Sequence, residues 1–203
     1  VDKMNIAGTQ LEYFREDRNQ LLDCLDKRLN LFFQNLENSI YPIPNSCSEA
    51  MAFKQWFENA KIGAIVLSGG GNISESINRH HVECLLIKHA IDYSIPLIGI
   101  CRGMQAIILH FGGSLKPKTG HVRTRHKMLF KNREIEVNSF HDFCVGNCPT
   151  ELNVLARSED GTIESICHKK HKILGVMWHP EREEPFQAHD LKLFNSFISG
   201  EKL

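Results

Sequence analysis

The sequence predicts an α/β fold: a mostly parallel central sheet flanked by helices, with antiparallel strands added in the C-terminal half. Three observations carry this expectation. Apolar runs at 62–67 and 95–100 are short enough for buried strands, and each leads into a glycine-bearing turn. Segments with helical spacing alternate with such runs through the first half, as the crossovers of a parallel sheet require. From about residue 128 onward, strand-like runs follow one another across short turns, the mark of antiparallel pairing.

Taken in order, Met4 to Gly8 reads as a first strand. A long helix is expected from about Arg15 to Leu36, with Leu21, Leu22, Leu25, Leu29, Phe32, Phe33 and Leu36 forming one core stripe. Tyr41-Pro42-Ile43-Pro44 is an extended connector or short strand, and a second helix runs from about Ser48 to Asn59. The strand Ile62–Leu67 ends in Ser68-Gly69-Gly70-Gly71-Asn72, and a helix covers Val82 to Tyr93. Arg79 and Glu83 are four apart and are expected to pair across the surface of that helix, with His80, His81 and His89 exposed. A strand over Ile95–Ile100 and a helix over Met104–His110 flank Gly99-Ile100-Cys101-Arg102-Gly103. Met128–Phe130 and Ile135–Val137 form a hairpin around Lys131-Asn132-Arg133-Glu134. Strands at Leu152–Ala156, Ile163–Cys167 and Ile173–Trp178 are expected to add antiparallel, before a last helix from about Asp190 to Ile198. With no linker, repeat or low-complexity segment, residues 1–203 are expected to form one domain with an ample core.

Chemistry concentrates in two segments. Gly-x-Cys-x-Gly between a strand and a helix is the cysteine form of the nucleophile elbow, which holds a reactive atom clear of the sheet. A buried cysteine is more often a small hydrophobe. The two flanking glycines, and His179-Pro180-Glu181 after a second apolar strand, favour a nucleophile instead. His179 can take the thiol proton and return it to a leaving amine, and Glu181 can orient the imidazole. The helix N-terminus after Cys101 favours negative charge there, and the Arg102 N–H can hold an oxyanion with a second donor from another loop. The loop of three glycines, at the C-terminal end of its strand, is the candidate for that donor.

Composition narrows the classes. Twenty-four basic and 24 acidic side chains cancel, so no global field points to nucleic acid. No apolar run approaches a membrane span, and no secretory signal is legible. Seven scattered cysteines suit a reducing cytosol better than a disulfide framework, so a cytoplasmic location is expected. The set His141, Cys144, Cys148, Cys167 and His168 lacks the usual zinc spacing, and no metal site is expected.

Leu67 to Gly71, Gly99 to Gln105, Val137-Asn138-Ser139-Phe140-His141 and Gly175 to Glu181 together resemble, in order and spacing, the class I glutamine amidotransferase superfamily. Arg102 after the cysteine, and Asn-Ser-Phe-His, resemble its γ-glutamyl hydrolase branch, which includes γ-glutamyl-γ-aminobutyrate hydrolases. The resemblance covers essentially the whole chain. It implies a flavodoxin-like sheet with helices on both faces, no cofactor, and hydrolysis of a γ-glutamyl amide through a thioester. By resemblance, Cys101 is the nucleophile, His179 the base and Glu181 the third member of a triad. Gly70 and Arg102 are implied as backbone oxyanion donors. Gly71, Gln105, Asn138, Ser139, Phe140 and His141 are implied as substrate contacts.

His121 to Lys127 packs five basic or titratable side chains into seven residues. A solvated strand edge is the bland reading of such a run. The alternative is that Arg123 and Arg125 hold an anionic group beyond the glutamyl moiety, such as phosphate. Thr9 to Tyr13, Arg15 to Arg18 and Met177 to Glu183 are similar to a branch from bacterial surface-polysaccharide pathways. In that branch a γ-glutamyl cytidine-diphosphate amidate is cleaved during capsule phosphoramidate synthesis, which implies the same substrate class here. Two other readings stay open: a glutaminase subunit feeding ammonia to a separate synthase, and a catalytically silent binding protein on the same scaffold. A homodimer is likewise open.

Overall fold

The chain begins with β1 (Asn5–Gly8) and then a hairpin, β2 (Leu11–Arg15) and β3 (Gln20–Cys24), before α1 (Lys27–Asn35). The structure, a computed structural model, describes residues 4–130 and 133–201. There follow β4 (Ser39–Pro42), α2 (Ala50–Ala60), β5 (Ile62–Leu67), α3 (Ile77–Tyr93), β6 (Leu97–Ile100) and α4 (Arg102–His110). The second half holds β7 (Ser114–Pro117), β8 (Val122–Phe130), β9 (Arg133–Phe140), β10 (Phe143–Asn147), β11 (Leu152–Ser158), β12 (Ile163–His168), β13 (Ile173–Val176) and α5 (Ala188–Ile198).

Nine strands form one sheet in the order β4-β1-β5-β6-β13-β12-β11-β8-β9. The first five are parallel, and β12, β11, β8 and β9 continue antiparallel. The period of two in β5 builds the core on both faces. Ala64 and Val66 pack with Phe32, Phe33, Phe194 and Phe197 of α1 and α5. Ile65 and Leu67 pack with Phe53, Leu86 and Ile107 of α2, α3 and α4. Among the described residues no helix is long and apolar enough to cross a membrane.

Three expectations are corrected. The long helix from Arg15 to Leu36 is instead the β2–β3 hairpin followed by α1. Asn19 sits at φ 49°, a left-handed position that asparagine tolerates, and closes the hairpin turn. Asp26 then caps α1, its carboxylate accepting from the Arg28 N–H at 3.0 Å. Of the expected stripe, Leu29, Phe32 and Phe33 are buried, whereas Leu21 is 63% exposed because it stands on the hairpin. Secondly, β13 is not a purely antiparallel addition: it pairs antiparallel with β12 but parallel with β6. Thirdly, α3 starts at Ile77, where the Ser76 hydroxyl accepts from the Arg79 N–H, so Arg79 and Glu83 lie fully buried rather than on the surface. The hairpin β8–β9 forms as expected, although Lys131 and Asn132 of its turn lie outside the described residues.

Candidate active site

Adjacent parallel strands β5, β6 and β13 deliver three segments to one edge of the sheet. The glycine loop leaves β5, the cysteine turn leaves β6, and Trp178-His179-Pro180-Glu181 follows β13. Ligand sites of open α/β sheets form at these carboxyl ends.

Cys101 adopts φ 50° and ψ −104°, an uncommon backbone conformation for a side chain with a Cβ. The turn is held by the Cys101 N–H donating to the Val176 carbonyl at 2.7 Å and the Gln105 N–H returning to the Cys101 carbonyl at 3.0 Å. Its tightness explains the flanking glycines. A Cβ on Gly99 would lie 2.5 Å from the Gly103 carbonyl carbon, and one on Gly103 would run into the Leu67 backbone. As the first residue of α4, Arg102 offers an N–H without an intrahelical acceptor.

Opposite the sulfur, His179 is 1% exposed and its Nδ1 lies 2.6 Å from Glu181 Oε1. Nδ1 therefore carries the proton donated to Glu181, and Nε2 is left for Cys101. Burial disfavours the imidazolium, but the charges of Glu181 and of the Cys101 thiolate, with the hydrogen bonds the ring donates to both, push its pKa up to about 9. The ring rests against Gly69, where any Cβ would strike it. Asn138 fixes the backbone behind it: its Oδ1 accepts from the His179 N–H at 2.9 Å and its Nδ2 donates to the His179 carbonyl at 2.8 Å. Trp178, also buried, donates to Asp190 Oδ1 at 2.9 Å.

The glycine loop is held from below by two buried guanidiniums that share one carboxylate. Arg79 donates to the carbonyls of Ser68, Gly69 and Gly70 at 2.6, 3.1 and 2.7 Å. Its Nε also donates to Glu83 at 3.0 Å. Arg102 grips both oxygens of Glu83 at 3.1 Å and donates to the Asn72 carbonyl at 2.9 Å. Burial lowers the Arg79 pKa to about 10 against the pull of Glu83, so it stays cationic. Gly70 sits at φ 87°, which lets the loop turn its amides without strain.

A cavity of about 250 Å³ opens between these segments, lined by Gly70, Gly71, Asn72, Cys101, Gln105, Val122, Phe140, His141, Asp142, His179 and Arg182. A second, of about 290 Å³, lies on the Glu181 side and shares Gly70 and Arg182 as its wall. A larger hollow of about 470 Å³ between α1 and α5 is lined by Asn35, Leu36, Glu37, Asn38, Leu191, Lys192 and Asn195. It holds no nucleophile beside a base, so chemistry rather than size selects the first cavity.

The other expected contacts divide. Gln105 faces this cavity and donates to the Phe143 carbonyl at 3.3 Å, and Phe140 stands edge-on to the His179 ring at 5.8 Å. Asn138 does not line the cavity, and its amide is engaged by His179 and Glu183. Ser139 is fully buried and donates to the His121 carbonyl at 2.7 Å. Arg125 is bound to Glu183 at 2.9 Å, and neither it nor exposed Arg123 lines the cavity. Among the described residues the arginine that does is Arg182, whose guanidinium lies 4.6 Å from the Phe140 ring centroid. Sequence reasoning missed it, although it directly follows His-Pro-Glu.

The family model described as glutamine amidotransferase class-I matches residues 23–199. Gamma-glutamyl-CDP-amidate hydrolase of Campylobacter jejuni subsp. jejuni serotype O:2 is 33% identical over 159 residues, covering 75% of this chain and 77% of that protein. A glutamine-hydrolyzing GMP synthase subunit from Methanothrix thermoacetophila is 32% identical over 133 residues, covering 61% of this chain and 70% of that protein. Among solved structures, a glutamine amidotransferase from Thermotoga maritima has the same fold, with a TM-score of 0.66 at 16% identity over 98% of this chain and 85% of that one.

Proposed function

Because the chain belongs to the glutamine amidotransferase class-I family, we propose that it is a cysteine hydrolase that releases glutamate from a γ-glutamyl amide. One observation carries the reading: Cys101 on its strained turn shares a cavity with an imidazole whose far nitrogen is 2.6 Å from a buried carboxylate. The Cys101 thiolate attacks the γ-carbonyl, and the carbon–sulfur bond forms as the oxyanion settles on the Gly70 and Arg102 amides. The carbon–nitrogen bond then breaks, with the nitrogen taking the His179 Nε2 proton. In the thioester the sulfur is uncharged. One cause of the raised His179 pKa is thereby removed, and the ring can take a proton from water. Collapse of the second tetrahedral adduct frees glutamate and restores the thiolate.

The proposed substrate bears phosphate beyond the amide, in the manner of a γ-glutamyl nucleotide amidate. Support comes from the likeness to the C. jejuni hydrolase and from Arg182 at the cavity. The role expected of Arg123 and Arg125 passes in this reading mainly to Arg182. One domain, no cofactor and a cytoplasmic setting fit the same proposal.

Likeness to a GMP synthase subunit favours a second reading, in which a partner synthase takes up the ammonia. Purified protein incubated separately with glutamine, γ-glutamyl-γ-aminobutyrate and a γ-glutamyl nucleotide amidate, with free glutamate quantified, separates the two. Fastest release from the nucleotide amidate by the isolated chain is expected. Glutamine turnover only on addition of cell extract would favour the subunit reading, and no release from any compound would overturn the hydrolase.

A further inference from the structure

Behind His141, at the wall of the cavity, a second cluster of buried ligand-type groups takes no part in the chemistry above. His121 precedes β8, His126 lies on it, His141 follows β9, and Glu164 is on β12. His121 Nδ1 is 3.3 Å from His141 Nε2. Glu164 Oε1 lies 3.3, 3.8 and 3.9 Å from His126 Nε2, His121 Nδ1 and His141 Nε2. Glu164 is fully buried, and neither of its oxygens, nor His126 Nε2, has a hydrogen-bond partner.

The outer sides of two rings decide what the inner sides can be. His121 Nε2 faces Asp160 Oδ2 at 3.0 Å, and His141 Nδ1 faces the Phe143 carbonyl at 3.0 Å. Asp160 also receives the Lys118 ammonium, the Ser158 hydroxyl and the Thr162 N–H, so it meets His121 as an acceptor. Both outer atoms are therefore acceptors, and each outer nitrogen donates its proton. In neutral rings that leaves a lone pair on His121 Nδ1 and another on His141 Nε2, pointing at each other and at a carboxylate. Three acceptors without a donor repel unless a cation lies between them.

We propose that His121, His141 and Glu164, completed by His126, hold a divalent zinc-class ion. Tetrahedral zinc, with bonds of about 2.0–2.1 Å to nitrogen and oxygen, spaces its ligands about 3.3 Å apart. The observed 3.3–3.9 Å separations match after a shift of a few tenths of an ångström. Asp160 and the Phe143 carbonyl are the outer partners that fix the tautomers of metal-bound histidines. The ion ties β8, β9 and β12 together. It also steadies the glutamyl side of the cavity, since the Phe143 carbonyl that receives His141 also receives Gln105. The expectation of no metal site is revised accordingly, and the assignment does not depend on the hydrolase reading.

The test uses the full chain carrying Cys101→Ala, so that the thiol and His179 cannot chelate. Zn²⁺ is added and the excess removed, bound metal is counted by mass spectrometry, and affinity is read by competition with a chromophoric chelator. One ion per chain is expected, with a higher melting temperature. Co²⁺ should give tetrahedral d–d absorption without a sulfur charge-transfer band. Glu164→Gln should lose the ion. Asp160→Asn, at a partly exposed outer position, should melt as the metal-free parent does yet bind about 10–100-fold more weakly. Substoichiometric metal in the parent, unchanged affinity in both variants, or a sulfur charge-transfer band would each overturn the assignment.

Discussion

Serine at position 101 would keep the shape of the side chain and lose its chemistry. Cys101→Ser is expected to lower glutamate release by about a thousandfold or more, and intact-protein mass spectrometry should no longer trap a γ-glutamyl adduct. A serine variant of ordinary activity would exclude the thioester. His179 gives the pH signature. In the proposed mechanism its imidazolium supplies the proton for the leaving amine, so the acylation rate should fall as pH rises through about 9. Glu181→Gln removes the carboxylate charge that favours the imidazolium, which should move that limb to lower pH; an unmoved limb would deny Glu181 its role. Arg182→Ala should raise KM for a nucleotide amidate several-fold more than KM for glutamine, because only the former carries phosphate to meet the guanidinium. Equal effects on both would remove Arg182 from phosphate recognition. At this scale the sequence is uneven. Cys101, His179 and Glu181 stand out because strand–glycine–cysteine–glycine–helix and His-x-Glu are local patterns. The second cluster draws His121 and His126 from one basic run but His141 and Glu164 from two distant segments, and no spacing along the chain announces their meeting.

Elements carry the next set of consequences. The amides of the glycine loop are aimed by α3, through Arg79, although no side chain of α3 lines the cavity. Glu83→Gln would leave two buried guanidiniums without a counter-charge, with an expected loss of about 3–5 kcal/mol in stability by urea denaturation. Turnover should drop even where folding survives, because the loop is released. A variant as stable and active as the parent would show that the network is incidental. The Arg79–Glu83 spacing is visible in the sequence, but its burial is not. A helix of mixed composition reads as a surface helix until Arg102 and the loop carbonyls supply its partners. The β2–β3 hairpin fails to show for a different reason. Leu21, Leu22 and Leu25 fit helical spacing with α1; the left-handed Asn19 turns β2 into β3, and the Asp26 cap divides that hairpin from α1.

For the whole molecule, two buried groups near β13 tie stability to pH. Because its folded pKa is raised above the ordinary 6.5, His179 contributes stability that is complete below pH 6.5 and lost as pH rises through about 9. Burial, against the Trp178 hydrogen bond, pushes Asp190 up to about 7. Its contribution is complete below the ordinary 3.8 and is lost as pH rises through about 7. Asp190→Asn keeps an acceptor for Trp178 and carries no charge, so it should flatten the decline between pH 4 and 7 and exceed the parent in stability at pH 8. Parallel denaturation profiles for the two proteins would contradict this. Local patterns along the chain were enough to reveal the alternation of strands and helices, the buried runs of β5 and β6, and the three residues of the proposed chemistry. These rest on near-neighbour sterics and on apolar periodicity, which act within a few positions of the chain. It took the folded chain to show that β13 lies parallel to β6, that Arg182 rather than Arg125 faces the cavity, and that three histidines meet Glu164. Each of these depends on where distant segments come to lie, and burial away from water, which sets their charges and partners, exists only once the sheet has closed over them.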